Sequence, residues 1–277
     1  MKIPIPEVDE RFENKEDALA YIARLCSVIV EKARVMRPTP SIADILAYAL
    51  AFIERVLVQS STLAEIARKR KDYVTVCALV RVLADNIATL NLIYNCEDEE
   101  EKVLRHLLYV LDGVQARWMM LDTREMKYDG KIPKETFDAL YQQVQGAKKN
   151  AKEGIDYCIS TIKERPLYRL NHEQIDVLID RKNWKYRVLE KPKNFYSWRE
   201  MYGMLNIKEG EDVFSSFLSQ YVHGLSISNI IINDKDDFDA PLSFAICLLG
   251  WLWNYLRKVY EPYLGSYTIE DVRKIFE

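Results

Sequence analysis

Apolar residues recur at three- and four-residue steps along most of this chain, the spacing that gathers them on one face of an α-helix. Ala18, Ile22, Leu25, Ile29 and Ala33 predict a helix from about residue 15 to 36, which Pro38 and Pro40 stop. Ser41 is expected to cap a second helix through Leu46, Leu50, Ile53 and Leu57, with a polar break at Gln59, Ser60 and Ser61 and a resumption to Arg70. Asp72 is a natural cap for a third, from about 73 to 94, which is apolar nearly all round and should lie at the centre of the packing.

A fourth helix opens in the acidic run 97–101, where carboxylates complement the positive end of a helix dipole, and is expected to end near Met126. Asp129, Gly130 and Pro133 separate it from a fifth, more polar helix over about 134–164, terminated by Pro166. From 166 to 194 the periodicity fails except at 173–179, so this stretch reads as an irregular insertion. Ser197 and Glu200 form a capping-box pair, and a further helix over about 211–223 closes at Gly224. Asp239 and Pro241 open a long apolar helix, and Thr268 with Asp271 a short terminal one. Only residues 227–232 hint at a strand. The predicted fold is all-α, a multi-helix bundle forming a single helical domain over 1–277, with its core in 15–165 and 195–277 and the insertion at 166–194.

Composition supports a globular chain: of 277 residues, 49% are hydrophobic and 29% charged, enough apolar surface to close a core. The formal net charge of -3 supplies no overall positive field for nucleic acid or an anionic membrane, so any polyanion contact must be local. The five cysteines are scattered, without zinc spacing, and read as reduced thiols. Prolines and acids stand at the N-terminus in place of a signal segment, and the apolar stretch 242–256 is short for a membrane span, so a cytoplasmic protein without membrane contact is expected.

Three polar constellations interrupt the apolar pattern. Arg81 and Asp85 stand four apart on the third helix, beside Asn86; a charge there needs a partner, and the two can answer each other as an internal brace or receive a ligand. Arg105, Tyr109 and Asp112 share a face of the fourth helix, and two guanidinium groups facing one axis would leave room for a phosphate or carboxylate guest. Tyr202, Ser219 and His223 make the third set. Ser219 and His223 are neighbours one turn apart, and a histidine at a helix C-terminus has its protonated form favoured, which suits a general acid. Carboxylate-bridged metal bundles need Glu three residues before His, which His106, His172 and His223 all lack, and there is no phosphate-binding glycine loop; no metal and no cofactor are expected.

The segment 62–94 with Arg81, Asp85 and Asn86, together with Trp198, Tyr202 and the turn Ser219, Val222, His223, Gly224, resembles a bacterial family of uncharacterised all-helical proteins, in which Glu is common where Asp85 stands. More distantly, a late histidine in a helical bundle is similar to the HEPN superfamily of helical ribonucleases and abortive-infection proteins. Those enzymes place an Arg a few residues before the His, where this chain has Ser216, Phe217 and Leu218, so Arg81 or Arg105 would have to supply the cation. The resemblance implies a role in stress response or phage defence. The expectation is a pocket for an anionic ligand built from Arg81, Asp85, Arg105 and Tyr202 with Ser219 and His223, in a homodimer. The alternatives are a metal-independent nuclease or phosphoester hydrolase acting on RNA through His223 and Ser219, and a structural module without catalysis.

Overall fold

The computed structural model describes residues 12–121, 126–223, 238–260 and 262. Among these, regular structure is helical, with two isolated β-bridges and no strand, so the protein is all-α. The expected Gly224 cap, the 227–232 stretch and the terminal helix at Thr268 and Asp271 lie outside the described residues.

Contacts divide the chain into two compact units, residues 1–95 with 197–277 and residues 96–196. This differs from the expected single core with an insertion at 166–194. The second unit begins with the fourth helix and takes in everything to Tyr196.

In the first unit, α1 (Lys15–Met36) packs on α2 (Ile45–Glu65) and on α10 (Asp239–Tyr260), while α3 (Tyr73–Tyr94) packs on α2, α10, α7 (Trp198–Gly203) and α9 (Ser219–Val222), and the short α8 (Gly210–Asp212) lies against α7. Its core includes Leu19, Ile22, Ile29, Leu50, Ile53, Leu63 and Trp253. Arg34 clasps Glu54 with two hydrogen bonds of 2.9 and 2.8 Å, joining α1 to α2, and the Tyr260 hydroxyl donates to the Leu46 carbonyl at 3.0 Å. The cap of α2 is Asp44, accepting from the Ala47 amide at 3.0 Å, in place of the predicted Ser41, whose hydroxyl accepts from Ala43 in the preceding turn. The expected break at 59–61 is absent. Ser60 is buried and returns its hydroxyl to the Val56 carbonyl at 2.8 Å, which lets the helix run on into a π-helical turn, Ile66–Arg70. Asp72 caps α3 through the Thr75 amide, and Ser197 with Glu200 completes the capping box of α7.

α2 with its π turn and α3 are each long and apolar enough to cross a membrane by length and composition, a property shared by core helices of soluble proteins. Most of the α3 window, 61%, is buried inside the protein, consistent with its neighbours on several sides.

The second unit packs α4 (Glu99–Met120) on α5 (Lys134–Glu164), with α6 (Pro166–Arg181) against both. α4 ends at Met120, short of the predicted Met126. Leu104, Leu107, Leu108 and Leu111 form its core with Ile155, Cys158, Ile162, Ile175 and Leu178. The region expected to be irregular is helical over its first half, starting from Pro166 at the first helical position. Its pattern was hidden by non-helical backbone at Asn171 (φ -137°, ψ 35°), which splits the helix so that only Ile175, Leu178 and Ile179 keep helical spacing on the buried side. Lys182, left-handed at φ 51°, ends α6, and the chain then runs through an irregular loop to Tyr196.

Candidate functional site

The loop after α6 is built by alternation. Trp184 and Tyr186 turn inward and are buried, so Lys185 and Arg187 between and beyond them turn outward. The loop then doubles back: Tyr186 bridges Phe195, the Tyr196 amide donates to the Lys185 carbonyl at 2.8 Å, and the Asn183 side-chain amide donates to the carbonyls of Pro192 (2.9 Å) and Asn194 (3.3 Å). These bonds fix a loop that would otherwise be too polar to hold a shape.

The doubled loop and α4 enclose an open groove of about 320 Å³, within the size range of small-ligand sites. Arg181, Lys182, Lys185 and Lys193 line it with Trp184 and Phe195, against a single carboxylate, Asp112. Among the described residues Arg181, Lys182 and Lys193 form no ion pair. The groove therefore carries a local excess of positive charge on a protein whose net charge is negative. Lys182 is also the residue held in the left-handed conformation, which glycine usually occupies at a helix end. A second groove of about 380 Å³ between α1 and α2 has the opposite character, with Glu31, Glu54 and Glu65 on its walls.

The polar residues singled out in the sequence take other places. Arg81 pairs with Asp85 on α3, and the Tyr202 hydroxyl donates to the same carboxylate oxygen at 2.5 Å. The guanidinium also lies over the Tyr202 ring, 4.9 Å from its centroid. Tyr202 is fully buried, stacked on Trp198 and edge-on to Phe214, and burial followed by the neighbouring Asp85 pushes its phenol far above the ordinary range. The Arg81 side chain is 11% exposed and that of Asp85 33%, so this cluster joins α3 to α7 with one edge open to water. Asn86 next to it donates to Gln59 of α2 at 2.7 Å.

Arg105 belongs to the other unit and is buried there. It forms two hydrogen bonds to Glu101 (2.9 and 2.6 Å), donates to the Trp184 carbonyl at 3.0 Å and lies 4.1 Å from the centroid of the Tyr186 ring. Its partner is thus Glu101, one turn back, and the predicted companions diverge: Tyr109 packs edge-on against Trp184, and Asp112 faces the basic groove. Each arginine is neutralised inside its own unit, so the anticipated guanidinium excess does not arise from this pair.

His223 caps α9, as its position before glycine suggested, and its amide donates to the Ser219 carbonyl at 3.2 Å. The histidine is exposed and Ser219 half-buried, and among the described residues neither side chain makes a hydrogen bond. Sequence reasoning passed over Lys182, Lys185 and Lys193; the signal was a local one, six basic residues against Glu190 alone between 181 and 195, interleaved with Trp184, Tyr186 and Phe195.

No family model, curated protein or solved structure matches the chain. The groove has to be read from its own chemistry.

Proposed function

We propose that this is an anion-binding protein whose ligand carries phosphate groups and is held in the groove between the loop 182–196 and α4. The observation that supports the reading is the lining itself: four cationic side chains face one carboxylate in an open cavity, and three of the four have no ion-pair partner among the described residues. Side chains of like charge gathered on one wall repel one another, and a multivalent anion relieves that repulsion while accepting charge-assisted hydrogen bonds. Arg81, Asp85 and Tyr202 then serve as an internal brace of the first unit, and Arg105 as the anchor that fixes the inner side of the loop through the Trp184 carbonyl and the Tyr186 ring. A cytoplasmic setting, expected from the scattered cysteines and the N-terminal composition, and a role in stress response or phage defence, which the resemblance in sequence implies, belong to the same proposal.

Calorimetric titration with tripolyphosphate at low salt tests it. Saturable binding is expected for the wild type, with affinity reduced at least severalfold in Lys182→Ala/Lys185→Ala/Lys193→Ala at an unchanged melting temperature. No binding by the wild type, or equal binding by the variant, refutes the proposal.

The hydrolytic alternative uses His223 as acid or base with Ser219. It is favoured by the exposure of His223 at a helix end one turn from Ser219. Cleavage of RNA by the wild type and its loss in His223→Ala, with stability retained, is the outcome it requires.

A further inference from the structure

We infer that the ligand of the basic groove is a single-stranded nucleic acid, bound through its phosphates by the lysines and through an unstacked base by Phe195. The inference rests on the anion-binding reading and adds the base.

Phosphate binding alone needs cations; it does not need an exposed aromatic ring among them. Phe195 lines the groove and is 57% exposed, a large apolar surface left in water on the same loop that buries Trp184 and Tyr186. It is not a floppy side chain on a loose tip. Its backbone is bridged to Tyr186, its carbonyl accepts from the Arg187 guanidinium at 3.1 Å, and the neighbouring Asn194 carbonyl accepts from Asn183. Cations alternate with rings around it: the Lys185 ammonium lies 5.7 Å from the Phe195 centroid and 5.6 Å from that of Trp184, and the Arg187 guanidinium lies 5.2 Å from the Tyr196 centroid.

A positively charged track with an aromatic platform fixed beside it is the arrangement that recognises single strands, because every base has a π-face and the stacking is tolerant of sequence. A duplex fits it poorly. Its bases are already stacked on each other, and a base would have to leave the stack to reach a ring on the protein surface. A small polyphosphate would use the lysines and leave Phe195 idle.

Fluorescence anisotropy with the full chain distinguishes these cases, using a labelled oligothymidylate or oligouridylate of about 12 nucleotides, an abasic phosphodiester of the same length and a duplex of the same length. The single strand should bind with a salt slope set by about four phosphate contacts at about -0.7 each, an affinity loss of roughly 50-fold between about 50 and 200 mM salt. The abasic strand should bind roughly tenfold more weakly. Phe195→Ala should lose about the same factor on the normal strand and nothing on the abasic one, while Phe195→Tyr should restore binding. Because the ring is exposed, the melting temperature of Phe195→Ala should match the wild type. Equal affinity for normal and abasic strands, full affinity of Phe195→Ala, or a preference for the duplex overturns the nucleic-acid inference and leaves the anion-binding reading standing. Failure of all three probes and of tripolyphosphate overturns both.

Discussion

Removing the carboxylate of Asp85 should destabilise the protein more than removing it together with its partner. The side chain of Arg81 is nearly buried beneath the Tyr202 ring, whereas Asp85 keeps a third of its surface in water, so the two members of the pair are not equivalent. Asp85→Leu leaves a guanidinium with no counter-charge and the Tyr202 hydroxyl with no acceptor, at a cost of about 3–4 kcal/mol, the lower part of the range for breaking a buried pair. Arg81→Met leaves a carboxylate that water and Tyr202 still solvate, and should cost about 1–2 kcal/mol. The double variant Arg81→Met/Asp85→Leu orphans only the hydroxyl, so its loss should be about 1 kcal/mol. It should therefore be more stable than Asp85→Leu alone by about 2–3 kcal/mol, a coupling of opposite sign to simple accumulation of damage. Urea denaturation followed by tryptophan fluorescence and circular dichroism measures this, with an unchanged denaturant slope as the check that one transition is being compared. Trp198, stacked on Tyr202 at 6.1 Å, reports from beside the cluster. Losses that simply add across the two single variants would refute the reading of Arg81, Asp85 and Tyr202 as one braced unit.

Lys182→Gly should stabilise the second unit by about 0.5–1 kcal/mol, because a left-handed residue loses its Cβ conflict, while weakening tripolyphosphate binding severalfold. A stabilised variant with undiminished affinity would separate the strained residue from the groove's function. Gly210→Ala should cost about 1–3 kcal/mol in thermal denaturation in spite of alanine's better helix propensity. The new Cβ would sit 2.9 Å from a ring carbon of Phe214 and 3.1 Å from Ile207, and Phe214 is fully buried between Tyr202 and Phe244. A neutral or stabilising result would mean that this packing yields. Burial raises the phenols of Tyr73, Tyr186, Tyr202 and Tyr255 above their ordinary value near 10. The stability they contribute is complete below that value and is lost as pH climbs from it toward the folded values, by about 1.4 kcal/mol per pH unit for each phenol. Tyr202→Phe should make the decline above pH 10 shallower by one such increment, and a slope identical to wild type in alkaline urea titrations would contradict the assignment.

The helices themselves were legible in the order of residues, because helical spacing, caps and terminating prolines act over one or two turns. Asp72, the acidic opening of α4, Ser197 with Glu200, and Asp239 did locally what their positions implied, and Arg81 met Asp85 because the i, i+4 relation already made them neighbours. Where two local signals competed, the sequence misled. Ser41 formed a turn and yielded the cap to Asp44, buried Ser60 fitted inside a helix, and Asn171 concealed α6. Tertiary structure decided everything that depends on residues far apart in the chain. It put the Tyr202 hydroxyl on Asp85, turned Arg105 to the Trp184 carbonyl and folded the loop back so that lysines spread over a dozen positions face Asp112 across one groove. The physical reason is one of range: helix formation is settled by neighbours within four residues, whereas the partner of a charge depends on which surfaces meet when whole helices and loops bury their apolar sides.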